Sequence, residues 1–166
     1  IPIGNVYYYF KTKDDLALAA TQKRREQFAA AYMLLSENII DPRARLIEAV
    51  NYYNKVRDEY ALYGCPIGKI INDTDIERDP IAKVASSVFG DFVAWAKAQF
   101  EQLGHEQEAQ KYAITLMAGI QGAILMAKSF QAPQILTAET ERLVNWLETI
   151  PNLKIQLGKV GLRSGS

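Results

Sequence analysis

Few residues of this chain are equipped for bond-making chemistry. His105 and Cys65 are its only imidazole and thiol groups, too few for a structural zinc site, and a lone cysteine closes no internal disulfide. No Ser-His-Asp set, paired-carboxylate motif or glycine-rich phosphate loop occurs in the sequence, so neither an enzyme activity nor a metal or cofactor is expected. Cys65, between Gly64 and Pro66, reads either as an inert thiol or as an oxidant or electrophile sensor. His105, just after Gly104, is expected at the surface where a helix begins. What remains is recognition chemistry. Tyr7, Tyr8, Tyr9 and Phe10 run into the basic turn Lys11-Thr12-Lys13. Such a cluster either wedges a helix end onto a core or meets nucleic acid.

Charge confines the second option to one end. The 19 basic and 19 acidic residues cancel, so no global basic field draws nucleic acid. Residues 1–25, with Lys11, Lys13, Lys23, Arg24 and Arg25 against Asp14 and Asp15, are locally positive. At 166 residues, 49% hydrophobic and 23% charged, the chain is long and apolar enough for a packed core, as one domain or one domain plus a remnant of another. No apolar run near the length of about 18 residues that spans a bilayer is visible, nor is a signal peptide. These absences, with the single cysteine, predict a cytoplasmic protein without a membrane partner.

The elements that must position these groups are helices. Apolar residues recur at spacings of three and four, and Gly and Pro fall between the periodic blocks. Thr12 before Lys13-Asp14-Asp15 predicts an N-cap with two acids in the first turn. That helix is expected to reach about Glu37 and to bury Leu16, Ala19, Ala20, Phe28, Tyr32 and Leu35. Asp41-Pro42 and Asp79-Pro80 repeat one start signal, a capping acid followed by proline at the first helical position. The first of these helices carries Leu46, Val50 and Tyr53 on one stripe. The second carries Ile81, Val84, Val88, Phe92, Trp95 and Leu103 and stops at Gly104, a residue suited to a left-handed cap. Between them "LYGCPIGKIIN" reads as a short, interrupted element. Helices at about Glu106–Phe130 and Ala138–Ile150, joined by "QAPQILT", complete six in all. Glycines within the penultimate helix cost roughly 1 kcal/mol each relative to alanine. Close approach of another helix is the usual compensation.

The stretch "GNVYYYFKTKDDL" closely resembles the end of the helix-turn-helix in TetR-type bacterial transcriptional regulators, with Val6, Tyr7, Tyr9, Phe10, Lys13 and Leu16 in register. "YGCPIGKI" resembles the short central element of many such regulators, and the small-residue helix with "TAETERLVNWLETI" resembles their two dimerisation helices. The family has two helices and the start of a third before this point, so the numbering is expected to begin partway through the DNA-binding domain. The resemblance implies an all-α, TetR-like helical effector-binding and dimerisation domain (12–150), preceded by the end of a helix-turn-helix (1–11) and followed by a C-terminal tail (151–166).

It also implies roles for particular residues. Gly4 lets backbone approach DNA, Asn5 reaches a base edge or phosphate, Tyr7 and Tyr8 offer hydroxyls and rings, and Lys13 suits a phosphate contact. Tyr9 and Phe10 pack inward. A mostly apolar effector pocket draws its candidates from Phe28, Tyr32, Tyr53, Phe89, Phe92, Trp95, Met117 and Gln121, each of which also reads as ordinary core. The dimer interface draws on Ala118, Gly119, Gly122 and Ala123 with Leu143, Val144, Trp146 and Leu147. The expected function is a ligand-responsive repressor, a homodimer that leaves operator DNA when a small apolar or aromatic effector binds. The alternatives are a helical dimeric interaction module without DNA binding, a redox- or electrophile-sensing regulator using Cys65 and, more distantly, an enzyme using the apolar cavity.

Overall fold

The computed structural model describes residues 10–154, and among them the chain forms seven helices and no strand. In chain order they are α1 (Lys13–Asn38), α2 (Pro42–Lys55), α3 (Arg57–Tyr63), α4 (Pro66–Asp73), α5 (Pro80–Gln102), α6 (Ala109–Phe130) and α7 (Gln134–Thr149). The predicted start signals operate as capping chemistry. Thr12 Oγ1 accepts from the Asp15 amide at 3.0 Å while Asp15 Oδ2 accepts from the Thr12 amide at 3.0 Å, a reciprocal capping box. Asp41 accepts from the amides of Arg43 and Ala44, and Asp79 from that of Ile81. Each is followed by proline in the first helical turn. Gly104 adopts φ +93°, and the His105 amide returns to the Phe100 carbonyl at 3.0 Å, the closure that ends a helix on a left-handed residue.

α5 and α6 pack on each other at the centre, with α7 and α3 against α6, α1 and α4 against α5, and α2 against α7. The fully buried side chains of this core include Leu46, Phe92, Phe100, Leu116, Ile120, Leu143 and Leu147. α6 is also long and apolar enough to cross a membrane by length and composition, contrary to the sequence expectation that no segment approaches that length. Its apolarity has a local cause: Ala113, Leu116, Ile120, Ile124 and Ala127 are buried among the neighbouring helices.

Several other expectations change. The interrupted element is two helices, broken where Gly64 turns with φ +75° and restarted at Pro66, with Cys65 Sγ accepting from the Gly68 amide at 3.3 Å. α6 begins at Ala109, three residues later than expected, and α7 begins at Gln134, four earlier. Most of "QAPQILT" is therefore helix. A left-handed residue, Gln131 (φ 51°), makes the sharp reversal possible, and its strain is offset where its Nε2 donates to the carbonyls of Ala61 and Lys128. His105 is buried rather than exposed, because the turn at Gly104 folds it under the chain end. Its Nε2 lies 2.7 Å from the Pro151 carbonyl, and the Leu153 amide donates to the Leu103 carbonyl. Leu16 and Ala20 are exposed, because the first turns of α1 carry no buried residue before Thr21.

Candidate functional site

A cavity of about 200 Å³ lies between α1, α2, α3, α4, α5 and α6. α1 contributes Phe28 and Tyr32, α2 Tyr52 and Tyr53, α3 Tyr60 and Tyr63, α4 Ile67, α5 Val88 and Phe89, and α6 Met117 and Gln121. The two short helices matter because they deliver Tyr60, Tyr63 and Cys65 to one wall. The end of α3 is fixed by groups from the far end of α6: Lys128 Nζ donates to the Leu62 carbonyl at 2.9 Å and Gln131 to that of Ala61 at 3.0 Å. These are C-terminal carbonyls with no intrahelical partner, and the cation also suits the negative end of the helix dipole.

Of the residues nominated for a pocket, Phe28, Tyr32, Tyr53, Phe89, Met117 and Gln121 line the cavity, while Phe92 and Trp95 stand outside it. Tyr32 is the divider. Its ring meets Phe92 edge-on at 5.8 Å and stacks on Trp95 at 5.1 Å, so Phe92 falls into the core and Trp95 onto a shallow outer surface beside Met33 and Ser36. Trp95 Nε1 donates to Ser36 Oγ at 3.0 Å. Tyr52, Tyr60 and Tyr63 were not singled out from sequence. Tyr52 lies next to Tyr53 and off the stripe that buries Leu46 and Val50, and the other two sit in the element read only as interrupted.

The cavity is apolar in its rings and polar in its hydroxyls. Burial pushes the hydroxyls of Tyr32, Tyr53 and Tyr60 well above the usual phenol range, with a hydrogen bond from Tyr53 partly offsetting the effect at Tyr32. All three stay neutral donors at neutral pH. Gln121 brings an amide from α6, and its Oε1 lies close enough to α4 that a Cβ added at Gly68 would meet it at 3.4 Å. The Arg24 guanidinium lies over the Phe28 ring at 5.8 Å, at the cavity's edge. No group of three or more metal-ligating side chains occurs among the described residues.

α1, which forms one wall, is held unevenly. Its C-terminal end is clamped by Arg45, which donates to the carbonyls of Ile39 and Ser36 and to the side chains of Gln99 and Gln102. Its middle is tied to α5 by a two-pronged Arg25–Asp91 pair, at 2.6 and 3.0 Å. Thr21 and Tyr32 are its only buried residues. Among the described residues, the helix is thus anchored near Ser36 and carries no tie of this kind near Lys13, an exposed residue at its first position. Gly4, Asn5, Tyr7 and Tyr8, the other candidates for DNA contact, lie outside the described residues.

The residues expected at a dimer interface divide into two sets. Ala123, Leu143 and Leu147 are buried in the chain's own core, and Trp146 packs on Phe100 and Tyr112. Val144 is half-buried against the same core. Gly119 faces α7, where an added Cβ would meet Glu139 Oε1 at 2.5 Å, so its lack of a side chain serves a contact within the chain. Ala118 is exposed, and a Cβ at Gly122 would meet nothing within 4 Å. With Ile114, Leu125 and Met126, which are 49%, 60% and 41% exposed, these two form one apolar stripe along α6 at helical spacing.

The described residues thus form an all-α bundle around an aromatic cavity, one wall of which is the long helix α1. Residues 47–141 match the family model described as transcriptional regulator LmrA/YxaF-like, C-terminal domain, and the chain belongs to that family. A search of curated proteins gives no match.

Proposed function

We propose that the protein is a ligand-responsive, DNA-binding repressor of the cytoplasm. It holds operator DNA as a homodimer and releases it when a small aromatic effector occupies the cavity. The observation that carries this reading is that the cavity is walled by α1, through Phe28 and Tyr32, and that α1 begins at Lys13 in the basic turn Lys11-Thr12-Lys13. A ligand favours whichever state it contacts better. Filling a cavity whose one weakly held wall is α1 therefore biases the tilt of that helix and the separation of the two DNA-binding heads. Half-sites lie about 34 Å apart, or a multiple of a helical turn, so a change in that separation ends simultaneous binding. The apolar stripe on α6 supplies the dimer face, the same patch meeting itself about a two-fold axis.

The test uses the full-length protein. A panel of aromatic compounds is screened by thermal shift, and each stabilising compound is then added to the protein bound to DNA from its own promoter. A compound present at about a hundred times its Kd adds about 2.7 kcal/mol of stability, a rise of roughly 5–10 °C for a domain of this size. Such compounds are expected to abolish the DNA mobility shift. A panel that yields no stabilising aromatic compound overturns the reading.

A further inference from the structure

A second hollow, a groove of about 310 Å³, runs along the outside between α1 and α2. It shares Arg24, Phe28, Tyr32, Tyr52 and Tyr53 with the inner cavity, so one aromatic wall has a hollow on each side. The chemistry of the two sides differs. The inner one presents buried tyrosine hydroxyls and the Gln121 amide. The outer one is lined by Ala31, Leu34, Leu35 and Ala49, with polar groups confined to its rim, where Lys55 pairs with Glu48. The partition is thin: Phe28 and Tyr52 meet edge to face with centroids 6.4 Å apart, and Tyr52 is 40% exposed. Exposed side chains change rotamer on the picosecond-to-nanosecond scale, so Tyr52 is the part of this wall able to turn outward. Leu34 remains 57% exposed beside the groove.

We propose that the effector is an elongated amphiphile, an aromatic ring bearing a linear hydrocarbon arm, with the ring in the inner cavity and the arm in the α1–α2 groove. This rests on the effector reading above and names the ligand class for it. The five lining residues that the two hollows share, with half-exposed Tyr52 as the movable part of the wall, point to a single molecule as occupant of both. The surface suited to a second copy of the chain is instead the stripe on α6.

The experiment is calorimetric titration of the protein with 2-naphthol and with its 6-ethyl and 6-butyl derivatives. Affinity is expected to rise about three- to fourfold per methylene, the gain for hydrocarbon removed from water. Ala31→Phe, which fills the groove from an exposed position, should bind 2-naphthol as the wild type does but lose the dependence on chain length. Leu34→Asn should reduce that dependence. If chain length makes no difference in the wild type, or persists unchanged in Ala31→Phe, the inference is overturned while the ring site stands. If neither 2-naphthol nor its alkyl derivatives bind, the inference is overturned, while the effector reading stands or falls with the aromatic panel. A change in sedimentation caused by Leu34→Asn or Ala31→Phe would assign the groove to a protein contact and also overturn the inference.

Discussion

Tyr53 illustrates how a single position serves both core and site. It falls on the stripe with Leu46 and Val50 that the helical period predicts, and its ring is buried, yet its hydroxyl reaches the cavity and Tyr32. Burial raises the folded-state pKa of Tyr32, Tyr53 and Tyr60 above the unfolded value near 10. For such a group the unfolded chain gives up its proton first. Stability is therefore complete below pH 10 and is lost as pH climbs above it. Urea midpoints are expected to hold level from pH 7 to 9 and fall beyond pH 10, and Tyr53→Phe should flatten that fall. A wild type whose midpoint is unchanged to pH 11 would contradict the burial of these hydroxyls. Lys13, exposed at the head of α1, is expected to touch phosphate. In the full-length protein Lys13→Ala should weaken DNA binding about equally on all sequences and lower the salt slope by about 1. A loss confined to one operator position would instead indicate base readout.

At the scale of elements, the anchors of α1 decide how it moves. Arg45 joins α1, α2 and α5 through one guanidinium, and its removal leaves helix-end carbonyls and a buried Gln99 without a donor. Arg45→Ala is expected to cost on the order of 2–3 kcal/mol in urea unfolding. Asp91→Asn, which breaks a pair about two-fifths exposed, should cost less than about 1 kcal/mol while speeding hydrogen exchange in the middle of α1. Helix starts were legible in the sequence because capping is local: Thr12, Asp41 and Asp79 each announce a helix within three residues. The break at Gly64 and the reversal at Gln131 were less so. At the first, the sequence shows an interruption but not that the end of α3 is held by Lys128 and Gln131, more than 60 residues away, and the second places a non-glycine residue in a left-handed turn through bonds to α3. The period places the aromatic candidates on a helix face and says nothing of their depth. Phe92 and Trp95 follow the same period as Val88, and only the Tyr32 ring, from another helix, puts them behind the cavity.

For the whole molecule, sequence patterning identified the helix pair that carries small residues but not how they divide between folding and association. Periodicity gives a residue's angle on its own helix. Whether that angle meets the chain's own core or a second copy depends on packing. Leu143→Ala should therefore cost roughly 2–5 kcal/mol of folding stability and leave association intact. Leu125→Glu should convert a dimer to monomers by sedimentation with little change in the urea midpoint. A dimer that survives Leu125→Glu would move the interface off the α6 stripe.

The proposed coupling of cavity occupancy to DNA binding through α1 is reciprocal. The most direct measurement is an anisotropy titration of labelled promoter DNA with the full-length protein, with and without a saturating cavity ligand found by thermal shift, together with titration of that ligand with and without DNA. Ligand is expected to weaken DNA binding about 5- to 150-fold, and DNA to weaken ligand binding by the same factor. A ligand that stabilises the protein through the cavity yet leaves the DNA isotherm unchanged would contradict it.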